Sequence, residues 1–350
     1  KPDMNSPVVA PPPADKVPPP LHVAGNELET PAGRPVWLQG LCVDSLEWSA
    51  AGERVVQSVE VAIDDWKANV IRLPVDMKAA YWFGEGPGQH DGGARYRQIV
   101  DSVVNAAAAR GAYVAIDLHK FRAPQAADLA FWKDVATRYR NHPAVIFELF
   151  NEPHDITWSV WRDGGDVTDH VKPKQGVVVE NTEKLTTFHA VGMQQLVDTI
   201  RATGAKNLII AGGIDWSFDL SGIMNGFALQ DRGGNGIMYS AHVYPWKKDW
   251  QDKFLVTAAK YPLFVGEVGA IRAWSDFPFI GPAEQYPLDG WAEDMIGLIQ
   301  KYQLNWTGFS FNPHCGPKVI SDWNYTPTPY WGVYVKEALA GRQFHLKAMR

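Results

Sequence analysis

The stretch AVIFELFNE, residues 144 to 152, reads as a short apolar strand ending in two polar groups, Asn151 and Glu152. Ahead of it, Leu129, Trp132, Val135 and Tyr139 repeat at helical spacing, and only Asn141 to Pro143 separate that helix from the strand. Behind it comes a long polar connection, residues 153 to 180. The same unit recurs along the chain. Strands are predicted at VWLQGLCV (36 to 43), NVIRLPV (69 to 75), YVAIDLH (113 to 119), NLIIAGG (207 to 213), IMYSAHVY (237 to 244), PLFVGEVG (262 to 269) and NWTGFSFN (305 to 312), eight in all. Helical patterns between them include Val56, Val59, Ile63 and Trp66; Tyr96, Ile99, Val103 and Ala107; Leu185, Phe188, Gly192, Leu196 and Thr199; and Trp291, Met295 and Leu298. Residues 214 to 236 carry only a weak helical pattern, and WGVYVKEAL (331 to 339) follows the eighth strand. Eight alternating units predict an α/β fold, a single (β/α)8 TIM barrel; an open doubly wound sheet is the alternative.

Helix-to-strand connections are short and strand-to-helix connections are long: 76 to 94, 153 to 180, 214 to 236 and 270 to 288. In such barrels the chemistry sits in the loops after the strands, so this asymmetry points to an enzyme with an extended site. Nine of the 15 tryptophans fall in segments that follow a predicted strand: Trp48, Trp82, Trp158, Trp161, Trp216, Trp246, Trp250, Trp274 and Trp323. Indoles such as Trp216 and Trp246 there can stack on sugar rings, or can pin long loops to the rim.

Composition narrows the partners. With 33 Lys+Arg against 39 Asp+Glu the formal charge is −6, and no dense basic run could neutralise a phosphate backbone, so nucleic acid is excluded. No uninterrupted apolar stretch approaches the roughly 18 to 20 residues of a membrane helix. The chain starts at Lys1 without a basic-then-apolar leader, as expected of a mature or trimmed soluble protein. PVVAPPPADKVPPP marks residues 1 to 20 as a Pro-rich linker remnant, with residues 21 to 350 as the catalytic barrel and an upstream module as a partner through the linker. Two cysteines, Cys42 and Cys315, permit at most one bridge, and no metal-ligand cluster is evident.

Arg72, His119, Asn151, Glu152, His242, Tyr244 and Glu267 all lie at or near predicted strand ends. Strands four and seven face each other across a barrel, so Glu152 and Glu267 can share one central space. Paired carboxyls flanking a bond are what glycoside hydrolysis requires, one protonated and one ionised. Arg72 and Tyr244 favour the ionised form of Glu267, whereas an apolar strand and a neighbouring carboxylate favour the acid form of Glu152. Strict alternation sends Asn151 and Glu152 to opposite faces, so a bulge or strand end must turn one back if both serve the site. Glu148 points the same way as Glu152, deeper in the barrel, as a paired structural carboxylate and a rival for the acid role.

VIRLP, IDLH, FELFNEP, SAHVYPW and FVGEVG, in this order on these strands, resemble glycoside hydrolase family 5, the cellulase family, from about Val36 to Leu339. The resemblance implies that Glu152 is the general acid/base and Glu267 the nucleophile. It further implies that Asn151 binds the substrate 2-hydroxyl, that Arg72 and Tyr244 orient the nucleophile, and that His119 and His242 line the central sugar subsite. Where the family commonly ends the eighth strand with a Trp, this chain places Phe309, which can stack with less area and puts substrate preference in doubt.

The expected activity is therefore a retaining endo-β-1,4-glucanase working without metal or organic cofactor on a β-linked polysaccharide or oligosaccharide, as a secreted monomer. The alternatives are the same mechanism on mannan, xyloglucan, xylan, mixed-linkage glucan or short glucosides, and a non-catalytic carbohydrate-binding barrel. Loss of a catalytic carboxylate would mark the latter, and both are present. Phosphorylated metabolites would need Gly-rich late loops; AIRAWSDFPFIGP and PHCGPKVISDWNY are aromatic instead. Cys42 and Cys315 fall near adjacent ends of strands one and eight, where a disulfide is possible.

Overall fold

Eight parallel strands close on themselves in the computed structural model, which describes residues 17–77, 80–170 and 185–350. They are β1 (Gln39–Cys42), β2 (Val70–Val75), β3 (Tyr113–Leu118), β4 (Val145–Glu148), β5 (Ile209–Gly212), β6 (Ile237–Val243), β7 (Leu263–Val268) and β8 (Asn305–Gly308). Each pairs with its neighbours in chain order, and β8 pairs with β1 to close the ring. Outside lie α1 (Val55–Asp64), α2 (Ala94–Ala108), α3 (Ala126–Arg138), α4 (Met193–Ala202), α5 (Val256–Ala258, continuing a π-turn over Gln251–Leu255), α6 (Trp291–Tyr302) and α7 (Gly332–Leu339). No helix among the described residues is long and apolar enough to cross a membrane.

Period-two alternation sorts the strand side chains into two cores. Leu41, Ile71, Leu73, Val114, Ile116, Val145 and Phe147 pack outward against the helices, for example against Tyr96, Val100, Val103 and Ala107 of α2. Leu38, Val70, Ala115, Ile146, Ile210, Met238 and Phe264 fill the barrel floor. One step further along the inward rows come Arg72, Asp117 and Glu148, and His242 lies two steps beyond Met238. A polar layer therefore rests on an apolar plug, which withholds water from its underside.

Three departures from the sequence reading have local causes. The strand expected at 36 to 43 is two pieces: Pro35–Val36 joins a small antiparallel sheet with His22–Ala24 and Glu27–Glu29, and the barrel strand starts at Gln39. That small sheet seats Leu21 and Leu28 against the barrel floor, and Tyr113 Oη donates to the carbonyl of Pro19 at 2.6 Å. The chain from residue 17 is thus docked on the barrel; the rest of the predicted linker, residues 1 to 16, lies outside the described residues. The helical pattern expected from Leu185 is a strand, Leu185–Val191, paired antiparallel with Gly164–His170, and α4 begins only at Met193. Gly192 makes that junction: a Cβ there would meet the Arg162 carbonyl oxygen at 2.1 Å. The eighth strand ends at Gly308, four residues earlier than predicted, because Ser310 and Phe311 turn away to pair with Pro317 and Cys42.

Candidate active site

Two irregularities bring the carboxyls together. After Glu148 the fourth strand leaves the barrel ladder, and Glu152–Pro153 pairs instead with Phe121–Arg122 beyond the end of β3. This break turns Asn151 and Glu152 into the same cavity, as alternation alone would not allow. In β7 the register against β6 slips, with Ser240 opposite Phe264 but His242 opposite Glu267. Three residues on β7 span two on β6, so Glu267 takes an inward place that strict alternation from Phe264 would give to Gly266.

Arg72 is fully buried at the centre. Its Nε and Nη2 reach Glu148 at 2.8 and 3.1 Å, Nη2 reaches Asp117 at 3.0 Å and the Asn151 side-chain oxygen at 2.7 Å, and Nη1 reaches Glu267 at 2.9 Å. It holds Glu148 below the ordinary carboxylate range in spite of burial, which would raise it. Glu148 is thus an ionised structural partner and is unsuited to act as an acid. Tyr244 donates to the other oxygen of Glu267 at 2.6 Å. Burial would push the Glu267 carboxyl up, but His242, Arg72, His119 and this hydroxyl together hold it at about 2.

Glu152 has the opposite bias. Burial first, and the charge of Glu267 second, push its carboxyl above the ordinary range against the pull of His242. Its side chain is 14% exposed, so it opens to the cavity while Glu267 stays beneath. His242 lies between them, Nδ1 at 3.4 Å from Glu152 and 3.7 Å from Glu267, with Nε2 at 3.9 Å from Glu148. These separations are too long for good hydrogen bonds, so charge dominates. Burial opposes protonation of the imidazole, yet the surrounding carboxylates push it up to about 9. His119, paired with Asp117 at 2.6 Å, is likewise held above its ordinary range against burial.

Oxygens of Glu152 and Glu267 and a nitrogen of His242 all lie within 4.8 Å of one another. These three side chains could in principle share a cation. The Arg72 guanidinium at 2.9 Å and the charged imidazole already supply the positive charge there, so the donor set does not fit a resident metal. The closeness of one oxygen from each carboxyl matters more for the chemistry: it is nearer the about 5 to 5.5 Å between carboxyls of retaining glycosidases than the roughly 6.5 to 9.5 Å of inverting ones.

The remaining predicted residues divide. Trp216 is 42% exposed and lies flat on His154, ring centroids 3.6 Å apart and planes 4° apart, which leaves its other face open. Phe121, itself exposed, bridges from His119 to Trp216. Trp246 is stacked on Tyr244 at 4.7 Å and 8°, so that face is closed to a sugar. Phe309 is buried, edge-on to Tyr244, in a cluster with Cys42 and Cys315. The two thiols are free. Of the nine loop tryptophans, Trp82, Trp161 and Trp250 are fully buried and pin loops to the barrel.

Asp117, Asp44, Glu47 and His154 were not singled out in the sequence. Asp117 could have been, since it precedes His119 by two residues and so shares its face. Asp44 and Glu47 are buried acids on the first strand's loop, Glu47 pushed up to about 7 chiefly by burial. His154 sits in a loop without periodicity, and no sequence signal places it under Trp216.

A profile of the cellulase family, glycosyl hydrolase family 5, matches residues 30–315. The chain belongs to that family. Among curated relatives of this family-5 chain, the endoglucanase MaCel5A of a Microbulbifer species is 24% identical over 91% of the chain and 56% of its own length. The endoglucanase CelA of Streptomyces lividans is 25% identical over 82% and 55%. The family-5 chain thus spans about half the length of the curated relatives it matches. The barrel also superimposes on a crystal structure of β-glucanase SdGluc5_26A from Saccharophagus degradans in complex with cellotetraose. The TM-score is 0.71 at 22% identity, over 97% of this chain and 98% of that one.

Proposed function

We propose that this family-5 barrel is a retaining endo-β-1,4-glucanase, with Glu267 as nucleophile and Glu152 as general acid/base. The observation that carries this is the pair itself: two carboxyls with an oxygen of each within 4.8 Å, one held ionised at about 2 and the other pushed toward its acid form. In the first step Glu267 attacks the anomeric carbon as Glu152 gives its proton to the departing oxygen, forming a glycosyl ester. Once the nucleophile's charge is consumed, the carboxyl of Glu152 loses the neighbour that raised its pKa. It can then take a proton from the incoming water, whose oxygen displaces Glu267. Arg72 and Tyr244 orient Glu267, and Asn151, fixed by Arg72 through its oxygen, keeps its NH2 without a protein partner and available to a sugar hydroxyl. His119 and His242 border the central sugar, and the open face of Trp216, on the Glu152 side, receives the leaving-group sugar.

The glucan substrate is supported by relatives named endoglucanase and by the cellotetraose complex of SdGluc5_26A. Action on a polymer outside the cell would make this a secreted protein, with residues 1 to 16 linking it to an upstream module. The test is a panel of β-glucans, mannan, xylan and xyloglucan assayed with the wild type and Glu267→Ala, with product anomers followed by NMR. Hydrolysis of β-1,4-glucan with β-configured first products is expected, together with a loss on the order of 10⁴-fold or more in the variant. Inverted first products, or activity surviving in Glu267→Ala, would overturn the assignment.

A further inference from the structure

After β5 the chain makes a tight turn, closed by the Ile214 N–H on the Asp219 carbonyl at 3.1 Å and the Asp219 N–H on the Ile214 carbonyl at 2.9 Å. Within it Asp215, Trp216 and Ser217 have φ of 54, 61 and 58°. None is glycine, and residues with a side chain visit the left-handed region singly rather than three in a row. Such strain persists only where surrounding contacts impose it. Here Lys247 holds Asp215 at 3.0 Å, Trp216 lies flat on His154, and the fully buried Ser217 hydroxyl donates to the Asn151 carbonyl at 2.5 Å.

The last two contacts bracket Glu152. The break after Glu148 takes this segment out of its pairing with β5. On the β3 side its N–H groups keep backbone partners, Asn151 on the Leu118 carbonyl at 2.9 Å, Glu152 on Lys120 at 3.1 Å and His154 on Arg122 at 3.1 Å. On the β5 side the final ladder bond runs from the Leu149 N–H to the Ile210 carbonyl at 2.9 Å. Beyond it, side chains stand in for the ladder: the Trp132 and Trp161 indoles donate to the carbonyls of Leu149 and Gly212, each at 2.8 Å. No backbone N–H among the described residues reaches the Asn151 carbonyl, and a buried carbonyl needs a donor. The Ser217 hydroxyl supplies it. Gly212 leaves the room for this, since a Cβ there would come within 2.2 Å of the hydroxyl oxygen.

We infer that Ser217 is a positioning residue for the acid/base, its hydroxyl fixing the backbone at Asn151 so that the Glu152 carboxyl meets the departing oxygen. The part played by Glu152 rests on the glucanase reading, and the part played by the hydroxyl rests on the contacts of the strained turn. The Asn151 side chain is fixed separately by Arg72, and Glu267 stands on β7 with its own partners. Loss of the hydroxyl therefore disturbs proton transfer and spares the nucleophile.

The experiment compares wild type, Ser217→Ala and Ser217→Gly on cellohexaose and on a dinitrophenyl β-cellobioside, whose leaving group departs without a proton. Both variants lack the hydroxyl, and glycine also adopts the left-handed turn freely, so the pair separates the hydrogen bond from the backbone strain. Each should lower kcat/KM for cellohexaose by about 10- to 100-fold, the effect of a small misplacement of a reacting group, and change it for the aryl substrate by less than about threefold. The alkaline limb of the cellohexaose profile, set by Glu152, should move to lower pH, because a displaced carboxyl gives up the burial and the nearness to Glu267 that raise it. The acid limb should stay in place. Equal losses on both substrates with both limbs unmoved, losses that follow melting temperature across the two variants, failure of both to fold, or no loss at all overturns the assignment and leaves the glucanase reading intact. Failure of the wild type to cut cellohexaose overturns both.

Discussion

Replacing Tyr244 by Phe removes one hydroxyl from the surroundings of Glu267 and keeps the ring that packs on Trp246. That hydroxyl donates to Glu267 at 2.6 Å in a buried setting, and hydrogen bonds to charged groups contribute about 1.5 to 3 kcal/mol. The bond favours the ionised carboxylate, so its loss destabilises that form relative to the acid. Since about 1.4 kcal/mol corresponds to one pH unit, the carboxyl should titrate roughly one to two pH units higher. On the proposed mechanism Glu267 attacks only when ionised, so activity should be lost as pH falls through its pKa, which lies at about 2 in the wild type. The acid limb of kcat/KM against pH should therefore move up by roughly one to two pH units in Tyr244→Phe. The alkaline limb, where Glu152 loses its proton and Glu267 is ionised in both proteins, should stay in place. The same depressed carboxyl also supports the fold: its contribution is complete above the unfolded value near 4.5 and is lost as pH falls toward about 2. Preincubation at each pH followed by assay near neutrality separates titration from unfolding. An acid limb that stays put while activity falls equally at every pH would refute the reasoning and leave Tyr244 a merely steric role.

Glu152→Gln keeps the shape but cannot release a proton, so glucan hydrolysis should fall by about 10² to 10⁴-fold, and an aryl glycoside, whose leaving group needs no acid, should suffer much less in its first step; equal losses on both substrates would argue against an acid role. Arg72→Ala strands Asp117, Glu148 and Glu267 in a buried space without their cation, and urea unfolding should show a loss of about 3 to 5 kcal/mol. An unchanged denaturation midpoint would mean that the polar layer is not what the guanidinium holds together. Trp216→Ala should raise KM for cello-oligosaccharides by about tenfold with little change in melting temperature, because half of the ring is outside the core; a large drop in melting temperature would show it to be a loop pin instead. Alkylation of the denatured, unreduced protein should label both Cys42 and Cys315, and a mass showing no adduct would reveal a bridge.

Much of the architecture was legible because it depends on periodicity. Eight apolar runs with short entries and long exits bury their strands on both faces by closing into a barrel under helices, and that closure places residues such as Arg72 and His242 at one end. What misled was local composition. Leu185, Phe188 and Gly192 fit a helical spacing, yet the pairing of Leu185–Val191 with Gly164–His170 outweighed it, since strand pairing depends on a partner that periodicity cannot display. The loop tryptophans were ambiguous for a related reason: Trp161 and Trp216 lie in similar surroundings in sequence, but one is sealed under a loop with its indole bonded to the Gly212 carbonyl and the other stands open on His154.

By itself, the amino-acid sequence pointed to the barrel, the polar set at the strand ends and the two glutamates, because side-chain type and position at the end of an apolar run mark them as candidates. Only the tertiary structure supplies the geometry behind the proposed choice of Glu152 as acid and Glu267 as nucleophile. That choice rests on the break after Glu148 and the slipped register before Glu267, which set one glutamate at the rim and the other against Arg72, Tyr244 and His242. Burial and neighbouring charge separate their proton affinities, and both arise from residues that come together only when the ring of strands closes.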